Sequence, residues 1–154
     1  MQRNLTRIVD SGQARTGQPV LSVVVPAYDE AENLARLLVE VRAALDPIGL
    51  AWELIVVDDG STDDTPTILA ALAAVERRLR PLRLPERRGQ TSALAAGFQE
   101  ARGSLIATLD ADLQCEPAEI PVLLAALDGA DMACGIRTGR QDPAYSLAEQ
   151  VARL

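Results

Sequence analysis

Asp110, Asp112 and Gln114 carry side-chain oxygens at alternate positions just after an apolar run, and this spacing suits a metal site. If the stretch leaves its strand extended, alternate side chains point the same way, and three oxygens converge on one cation. Protein oxygens together with phosphate oxygens and water are typical ligands of Mg²⁺ or Mn²⁺. Such an ion would neutralise a diphosphate leaving group as its bond breaks. The alternative is that the three are loop residues that cap a helix near Pro117.

Acidic and aromatic side chains also follow two earlier apolar runs. Asp58 and Asp59 end the run at 53–57, where an aspartate can accept a hydrogen bond from a ring N–H of a nucleotide base. Turn chemistry, in which Asp bonds its own backbone, explains this pair equally well. Tyr28 and Glu30 follow the first run and suit a base or ribose pocket, although Tyr28 equally suits packing with its hydroxyl in water.

Positive charge comes from arginine alone, because all 15 basic residues are arginine and histidine is absent. This composition excludes lysine Schiff bases, P-loop lysines and histidine-based triads or zinc sites. Arg87, Arg88 and Gln90 precede a predicted helix, where an anion could meet both guanidinium groups and the helix N-terminus. The alternative for that loop is a solvated basic segment. Arg137 and Arg140 lie in a glycine-containing segment that could fold over a diphosphate as a lid.

The overall composition narrows the choice of partners. A net charge of −7 argues against a nucleic-acid backbone or an anionic membrane as the main partner. The two cysteines lack metal-ligand spacing and are too few for a disulfide scaffold, so we interpret them as reduced cytosolic thiols. The length of 154 residues suits one domain.

Alternating strands and helices are predicted to position these groups. Short, β-branched apolar runs predict buried parallel strands at 21–25, 53–57, 81–84, 104–109 and 131–135. Asp29 and Glu32 form a D-x-x-E capping pattern before the first helix. Apolar residues at helical spacing predict four helix faces: Leu34, Leu37, Leu38, Val41 and Leu45; Ile68, Leu69, Leu72, Val75 and Leu79; Leu94, Ala95, Phe98 and Ala101; and Ile120, Leu123, Leu124 and Leu127.

This alternation predicts an α/β fold with three layers, α/β/α, around a mostly parallel sheet with right-handed crossovers. Ligands of such sheets bind at the carboxyl ends of the strands, near the point where strand order reverses. Asp59, Asp110 and Asp112 should therefore gather on one rim. Because like charges this close repel each other, the cluster indicates a cation or a donor-rich ligand among them.

Four segments together resemble the family-two glycosyltransferases with a GT-A fold. They are SVVVPAYDEAENL at 22–34, ELIVVDDGSTDDTP at 53–66, GQTSALAAGFQEARGSLIATLDADLQCEP at 89–117 and CGIRTGRQD at 134–142. Within that family the chain looks most like the dolichyl- and undecaprenyl-phosphate sugar transferases. The resemblance implies a donor such as GDP-mannose or a UDP-sugar, a polyprenyl-phosphate acceptor, and displacement with inversion at the anomeric carbon.

The resemblance also implies roles for individual residues. Asp110 and Asp112, with Gln114, would hold the metal and the donor, and Arg137 would grip phosphate. Asp58, Gln90 and Ala111 are placed at the same donor site. The residues implied to hold the nucleoside are Pro26, Tyr28, Glu30, Val57 and Asp59.

The same comparison predicts the organisation of the chain. We divide it into a polar leader at 1–19, a nucleotide-sugar-binding domain at 20–142, and a tail or the start of a helix at 143–154. Family members continue well beyond this length, which implies a truncated example of the fold, and a homodimer that covers an open sheet edge is a reasonable hypothesis. The expected location is the cytoplasm, at the inner face of the membrane. Two alternatives stay open: a non-catalytic nucleotide-sugar-binding module or remnant, and a GT-A-fold nucleotidyltransferase.

Overall fold

The computed structural model of the chain describes residues 18–127, 130–135 and 150–153. Two short 3-10 turns, Asp46–Ile48 and Pro117–Glu119, adjoin the helices. The described part of the chain forms the following strands and helices: β1 (Leu21–Ala27), α1 (Leu34–Leu45), β2 (Trp52–Asp58), α2 (Thr65–Val75), β3 (Leu79–Arg83), α3 (Gln90–Glu100), β4 (Leu105–Thr108), α4 (Ile120–Ala126), β5 (Met132–Cys134) and β6 (Gln150–Arg153).

The strands form one sheet in the order β3-β2-β1-β4-β6-β5. Neighbours among β1 to β4 pair in parallel, as the apolar runs predicted, because helical crossovers connect them. The fifth strand lies where it was predicted, but it does not pair with β4: an unpredicted strand, β6, lies between β4 and β5 and runs antiparallel to both. Part of the stretch 143–154, expected as a tail or helix start, is therefore strand at 150–153. Residues 143–149 lie outside the described residues.

Helices cover both faces of the sheet, so the predicted three-layer arrangement is confirmed. In β1, side chains alternate between the faces: Val23 and Val25 pack in the larger core, and Val24 packs in the smaller one. The larger core takes the apolar faces of α1, α2 and α4. The smaller core lies beneath α3.

Helix α3 makes its closest approach to the sheet through small residues. Its fully buried positions are Ala93 and Gly97, neither of them on the predicted face. Of that face, Leu94 and Ala101 pack against the smaller core as expected, but Phe98 is 41% exposed. A Cβ on Gly97 would collide with a methyl group of Val24 and lie 3.2 Å from Cγ2 of Val57. The helix comes so close to β1 and β2 that only small side chains fit between them.

The second helix ends earlier than its apolar pattern predicted. Helix α2 begins at Thr65-Pro66 as expected, but it stops at Val75, which is 82% exposed. Leu79, assigned to the helix face from the sequence, is instead the first residue of β3. The chain turns at Glu76, whose carboxylate accepts hydrogen bonds from the backbone N–H and the guanidinium of Arg78. These bonds stabilise a turn at the position where the apolar pattern predicted a continued helix.

Arg78 joins two carboxylates and an indole ring beside that turn. It donates to Asp46 at 2.6 Å and to Glu76 at 2.9 Å, and its guanidinium lies 3.8 Å from the centre of the Trp52 ring. The hydrogen bond from Arg78 is the main cause that lowers the pKa of Asp46 and of Glu76 below their ordinary values. Both carboxylates therefore stabilise the fold above their unfolded pKa values, and this stabilisation is lost as the pH falls through the lowered ones.

Replacing Arg78 should make the free energy of unfolding depend less on pH in the acidic range. We expect Arg78→Ala to lower the free energy of unfolding at pH 7 by about 1–2 kcal/mol, since partly exposed ion pairs and a cation–π contact are lost. The difference from wild type should shrink as the pH falls below about 4, where the carboxylates protonate. Urea unfolding between pH 7 and pH 3 measures this. The exposed Arg77 is the matched control, and an Arg78→Ala deficit that does not vary with pH would contradict the assignment.

A buried polar network ties α3 to the starts of β1 and β2. Glu53 is 4% exposed, and its carboxylate accepts from Ser22 Oγ at 2.7 Å, Arg80 Nη1 at 2.8 Å and the Arg102 N–H at 2.8 Å. The Gly103 N–H donates to Ser22 Oγ. The segment after α3 is thus fixed at the amino-terminal edge of the sheet.

Candidate functional site

The strand order reverses at β1, and this opens a crevice at the carboxyl edge of the sheet. From β1 the chain builds outward through β2 to β3, and it then returns to place β4 on the other side of β1. The helix that leads into β4, α3, packs on the opposite face from α1 and α2, and ligands of open α/β sheets usually bind at the carboxyl ends of the strands near such a reversal. The residues that follow β1, β2 and β4 form the rim of this crevice.

One open pocket of about 360 Å³ occupies the crevice. Asp59, Asp110 and Asp112 all line it, as expected if parallel strand ends meet at one edge. Its wall also contains Ala27, Arg87 and Gly89. The residues proposed from the sequence that line it are Pro26, Tyr28, Glu30, Asp59, Gln90, Asp110, Ala111 and Asp112.

Two residues proposed for the nucleoside do not line this pocket. Val57 is fully buried in the core beneath α3. Asp58 is 1% exposed; its Oδ1 accepts from the Ser61 N–H at 2.8 Å, and its Oδ2 lies 3.4 Å from Nε of Arg83. In this structure Asp58 therefore serves the turn after β2, which was the alternative interpretation of the sequence.

The three proposed metal ligands do not converge as the extended spacing predicted. The chain turns at Ala111-Asp112, and Leu113 takes a positive φ of 58°. The Gln114 N–H donates to Asp112 Oδ1 at 3.0 Å, and Gln114 is not among the pocket-lining residues. The turn thus leaves Asp110 and Asp112 on the wall without Gln114. In the described segments, no cluster of three or more Asp, Glu, Cys or His side chains could hold a metal alone.

Asp110 lies against the start of α3. Nε2 of Gln90, the first residue of that helix, donates to Asp110 Oδ1 at 2.9 Å. The amino-terminal end of a helix carries a partial positive charge, which favours anionic groups near it. The pocket therefore combines a carboxylate wall after β4 with the positive end of α3.

Asp59 fixes the loop that brings Arg87 to the pocket. It is 3% exposed, and its two oxygens accept the backbone N–H groups of Arg88 and Gly89, each at 2.7 Å. Gly60 has a φ of 73°, and a Cβ there would lie 2.6 Å from the Arg87 backbone nitrogen. The sequence predicted Asp59 as a site residue. It did not predict the hydrogen bonds from the Arg88 and Gly89 backbone, because these N–H groups lie about 30 positions further along the chain.

A side chain at Gly60 should displace this loop. We expect Gly60→Ala to lower the free energy of unfolding by about 2–3 kcal/mol, since it combines an unfavourable positive φ with overpacking against backbone. Gly49 is the matched control, because its φ is 68° and nothing lies within 4 Å of a Cβ built there. Gly49→Ala should cost only about 1 kcal/mol. If urea unfolding shows equal losses of stability for the two variants, the close approach of the Arg87 backbone to position 60 does not require glycine.

Asp29 joins the loops that follow β1 and β2. Its φ is 54°, and its Oδ1 accepts from the Thr62 N–H at 2.7 Å and from the Asp63 N–H at 3.2 Å. In return, Asp63 accepts the Ala31 N–H, and Ser61 Oγ accepts the Asp29 N–H. The predicted capping role of Asp29 was wrong: α1 begins at 34, and no side-chain hydrogen bond caps it.

Hydrogen bonds also lower the pKa of Asp63, which joins the same two loops as Asp29. Burial would raise the pKa of Asp63, but hydrogen bonds from Thr65 and from the Ala31 N–H outweigh burial and lower it. Asp63 therefore remains a carboxylate acceptor at neutral pH. The loops that carry Tyr28 and Glu30 on one side and Asp59 on the other are held together by charge-assisted bonds.

Negative charge dominates the pocket wall. Glu30, Asp59, Asp110 and Asp112 contribute carboxylates, and Arg87 is the one cation among the described lining residues. Its guanidinium carbon lies 3.9 Å from the centre of the Tyr28 ring, a stacking contact that the sequence did not predict. Any polyanionic ligand would need further positive charge here. The proposed lid residues Arg137 and Arg140 lie outside the described residues, so the lid stays a prediction.

The architecture and the position of the pocket define a glycosyltransferase fold of the GT-A type. The mannosyltransferase PcManGT of Pyrobaculum calidifontis, solved with GDP-Man and Mn²⁺, superposes with a TM-score of 0.73 at 21% identity, over 99% of this chain and 51% of that one. The glucosyl-3-phosphoglycerate synthase of Mycobacterium tuberculosis, solved with Mn²⁺, UDP and glucosyl-3-phosphoglycerate, gives 0.71 at 22% identity, over 97% and 60%. At these identities the likeness establishes the fold.

Sequence comparison then gives the family. The model of glycosyl transferase family 2 matches residues 22–150, and the chain belongs to this family. It is 43% identical over 127 residues to an undecaprenyl-phosphate 4-deoxy-4-formamido-L-arabinose transferase of Pectobacterium carotovorum, covering 81% of this chain and 39% of the relative. An enzyme of the same name from Aeromonas hydrophila is 44% identical over 125 residues, covering 80% and 38%. The chain thus spans about two fifths of the length of these curated relatives.

Among the described helices, none has the length and hydrophobicity that a bilayer crossing requires.

Proposed function

We propose that this chain is the donor-binding domain of a metal-dependent, inverting glycosyltransferase that transfers a sugar from a nucleotide diphosphate to a polyprenyl phosphate. One observation carries the proposal: the nucleoside-side carboxylate Asp59 and the metal-side carboxylates Asp110 and Asp112 share one pocket where the strand order reverses. The sheet thereby offers two walls for the two halves of a nucleotide-diphospho-sugar.

The nucleoside would bind between the loops after β1 and β2. Pro26, Tyr28 and Glu30 line that side, and Tyr28 offers an aromatic face for a base. Asp59 already accepts two backbone N–H groups, but a carboxylate has about four acceptor positions, so a ring N–H of the base can still bond to it. GDP-mannose and UDP-sugars are the donors to test first, since the similar structures were solved with GDP-Man and with UDP.

The diphosphate would bind at the wall formed by Asp110, Ala111 and Asp112. Two carboxylates suit Mg²⁺ or Mn²⁺ when substrate phosphates and water complete the coordination, so an all-protein cage is not required. The two similar structures named above both contain Mn²⁺. When bound, the cation would neutralise the leaving diphosphate. Gln90 and the start of α3 would supply polar donors beside it.

The acceptor in this proposal is the phosphate of a polyprenyl phosphate, the class indicated by the names of the curated relatives. Its oxygen would attack the anomeric carbon while the bond from that carbon to the donor diphosphate breaks, so the nucleoside diphosphate leaves and the configuration inverts. The protein would act mainly through positioning and charge stabilisation, with Arg137 gripping phosphate. We place this reaction at the cytoplasmic face of the membrane, where a lipid acceptor and a water-soluble donor can meet.

Titration of UDP- and GDP-sugars with and without Mn²⁺ tests the donor site. Incubation with undecaprenyl phosphate, followed by product analysis and NMR of the new anomeric centre, then tests transfer. Metal-dependent binding with an inverted product supports the whole proposal. Binding without transfer would favour a nucleotide-sugar-binding module. If neither donor bound in the presence of Mn²⁺, the proposal would be wrong.

A further inference from the structure

Arg87 occupies the aromatic surface that a nucleobase would need. Its guanidinium carbon lies 3.9 Å from the centre of the Tyr28 ring, and both side chains line the same pocket. A base stacking on this face would sit at a similar separation, so the guanidinium and the base cannot occupy it together. The pocket therefore already contains a competitor for its ligand.

We propose that Arg87 is an internal occupant of the base position, displaced when the nucleoside binds and then paired with the donor diphosphate. This inference rests on the proposed function, because it assumes that the pocket binds a nucleotide. The exchange makes binding of the base depend on the phosphates. A nucleoside without phosphate must displace Arg87 with no compensation, whereas a nucleoside diphosphate offers it a new anionic partner.

The backbone around Arg87 is fixed while its side chain is exposed. Asp59 accepts the N–H groups of the two residues that follow, and Gly60 packs within contact of the Arg87 backbone. The side chain itself is exposed and forms no ion pair within the described residues, although four carboxylates line the same pocket. Its neighbour Arg88, by contrast, pairs with Glu86 at 3.1 Å. A rotamer change of Arg87 would thus move the guanidinium without moving the loop.

The relative strengths of the two contacts favour the exchange. A cation–π contact at an exposed site is among the weaker interactions of a guanidinium. A hydrogen bond between a guanidinium and a phosphate is charge-assisted and about twice as strong as a neutral one. Gly89 and Gln90, at the start of α3, line the pocket beside Arg87 and provide a neighbouring position for an anion. The diphosphate therefore compensates Arg87 for the lost contact with the ring, and an uncharged ligand does not.

Opposite effects of Arg87→Ala on two ligand classes test this inference. The affinities of four ligands are measured separately, for wild type and variant, at one saturating Mn²⁺ concentration. The ligands are uridine and UDP, and guanosine and GDP. Loss of the competing stack should tighten nucleoside binding about two- to fivefold. Loss of the guanidinium should weaken diphosphate binding about tenfold. Arg77→Ala removes the same charge at the amino-terminal end of β3, far from the pocket, and should change neither affinity.

The outcomes separate this inference from the proposed function. Opposite shifts for the nucleoside and the diphosphate support displacement of Arg87. If Arg87→Ala weakens both ligands in parallel, Arg87 is part of the base platform; that result, or no change in either, overturns the inference while the proposed function stands. If the wild type binds neither UDP nor GDP, the proposed function itself fails, and the inference fails with it. Thermal unfolding of each variant confirms that it is folded.

Discussion

Asp112→Asn is expected to weaken binding of the nucleotide-sugar donor about 100-fold in the presence of Mn²⁺, because even indirect metal partners change metal affinity by about 10–100-fold. The exposed carboxylate of Asp112 lines the pocket beside Asp110, where cation and diphosphate would meet. Asparagine retains an oxygen that can accept the Gln114 N–H, so the turn can persist while the charge is lost. Donor affinity without metal should change little.

Calorimetric titration of donor into both proteins, with Mn²⁺ and with a chelator, measures this effect. Asp64→Asn is the matched control, since Asp64 is an exposed aspartate just before α2 and does not line the pocket. It removes the same charge from the same edge of the sheet and should leave donor affinity within about twofold. Equal affinities for wild type and Asp112→Asn at saturating Mn²⁺ would exclude Asp112 from the metal site.

Glu53→Gln should lower the free energy of unfolding by about 3 kcal/mol, the lower end of the cost of breaking a buried ion pair from one side. The substitution places an amide N–H₂ among the Ser22 hydroxyl, the Arg80 guanidinium and the Arg102 N–H, where a carboxylate accepts all three. At least one buried donor then loses its acceptor. Donor binding by the folded variant should be unchanged, because this network lies at the edge of the sheet opposite the pocket.

Glu100→Gln provides the control for Glu53→Gln. Glu100 also pairs with Arg80, at 3.0 Å, but its side chain is 52% exposed, against 6% for Glu53. An exposed pair is worth about 0.2–1 kcal/mol, so this variant should be only slightly less stable than wild type in urea unfolding. Similar losses in the free energy of unfolding for Glu53→Gln and Glu100→Gln would show that burial does not determine how much this network stabilises the fold.

The sequence predicted the rim of the site because parallel topology constrains it strongly. Continuous apolar runs identify β1 and β2 as strands buried on both faces, and crossover connections then bring their carboxyl ends to one edge. Asp59, Asp110 and Asp112 meet there whatever the details of their loops. This part of the prediction needed only strand order and direction.

Loop geometry was predicted less well, because spacing along the chain does not determine dihedral angles or distant partners. The i, i+2, i+4 pattern from Asp110 to Gln114 assumed extended backbone, whereas Leu113 takes a positive φ. Asp29 resembled a helix cap, but its carboxylate accepts N–H groups 33 and 34 positions away. The fully buried positions of α3 were missed for another reason: close approach to the sheet selects Ala93 and Gly97 rather than larger apolar residues.

The reciprocal bonds of Asp29 and Asp63 have a consequence for redesigning the proposed donor site. Since each of these aspartates accepts backbone N–H groups from the opposite segment, the stretches at 28–31 and 61–65 form one interlocked unit. A chimera that imports only one stretch from another enzyme would leave unmatched carboxylates and orphaned amides at the seam. A redesign of the proposed donor site should therefore exchange both stretches as a pair.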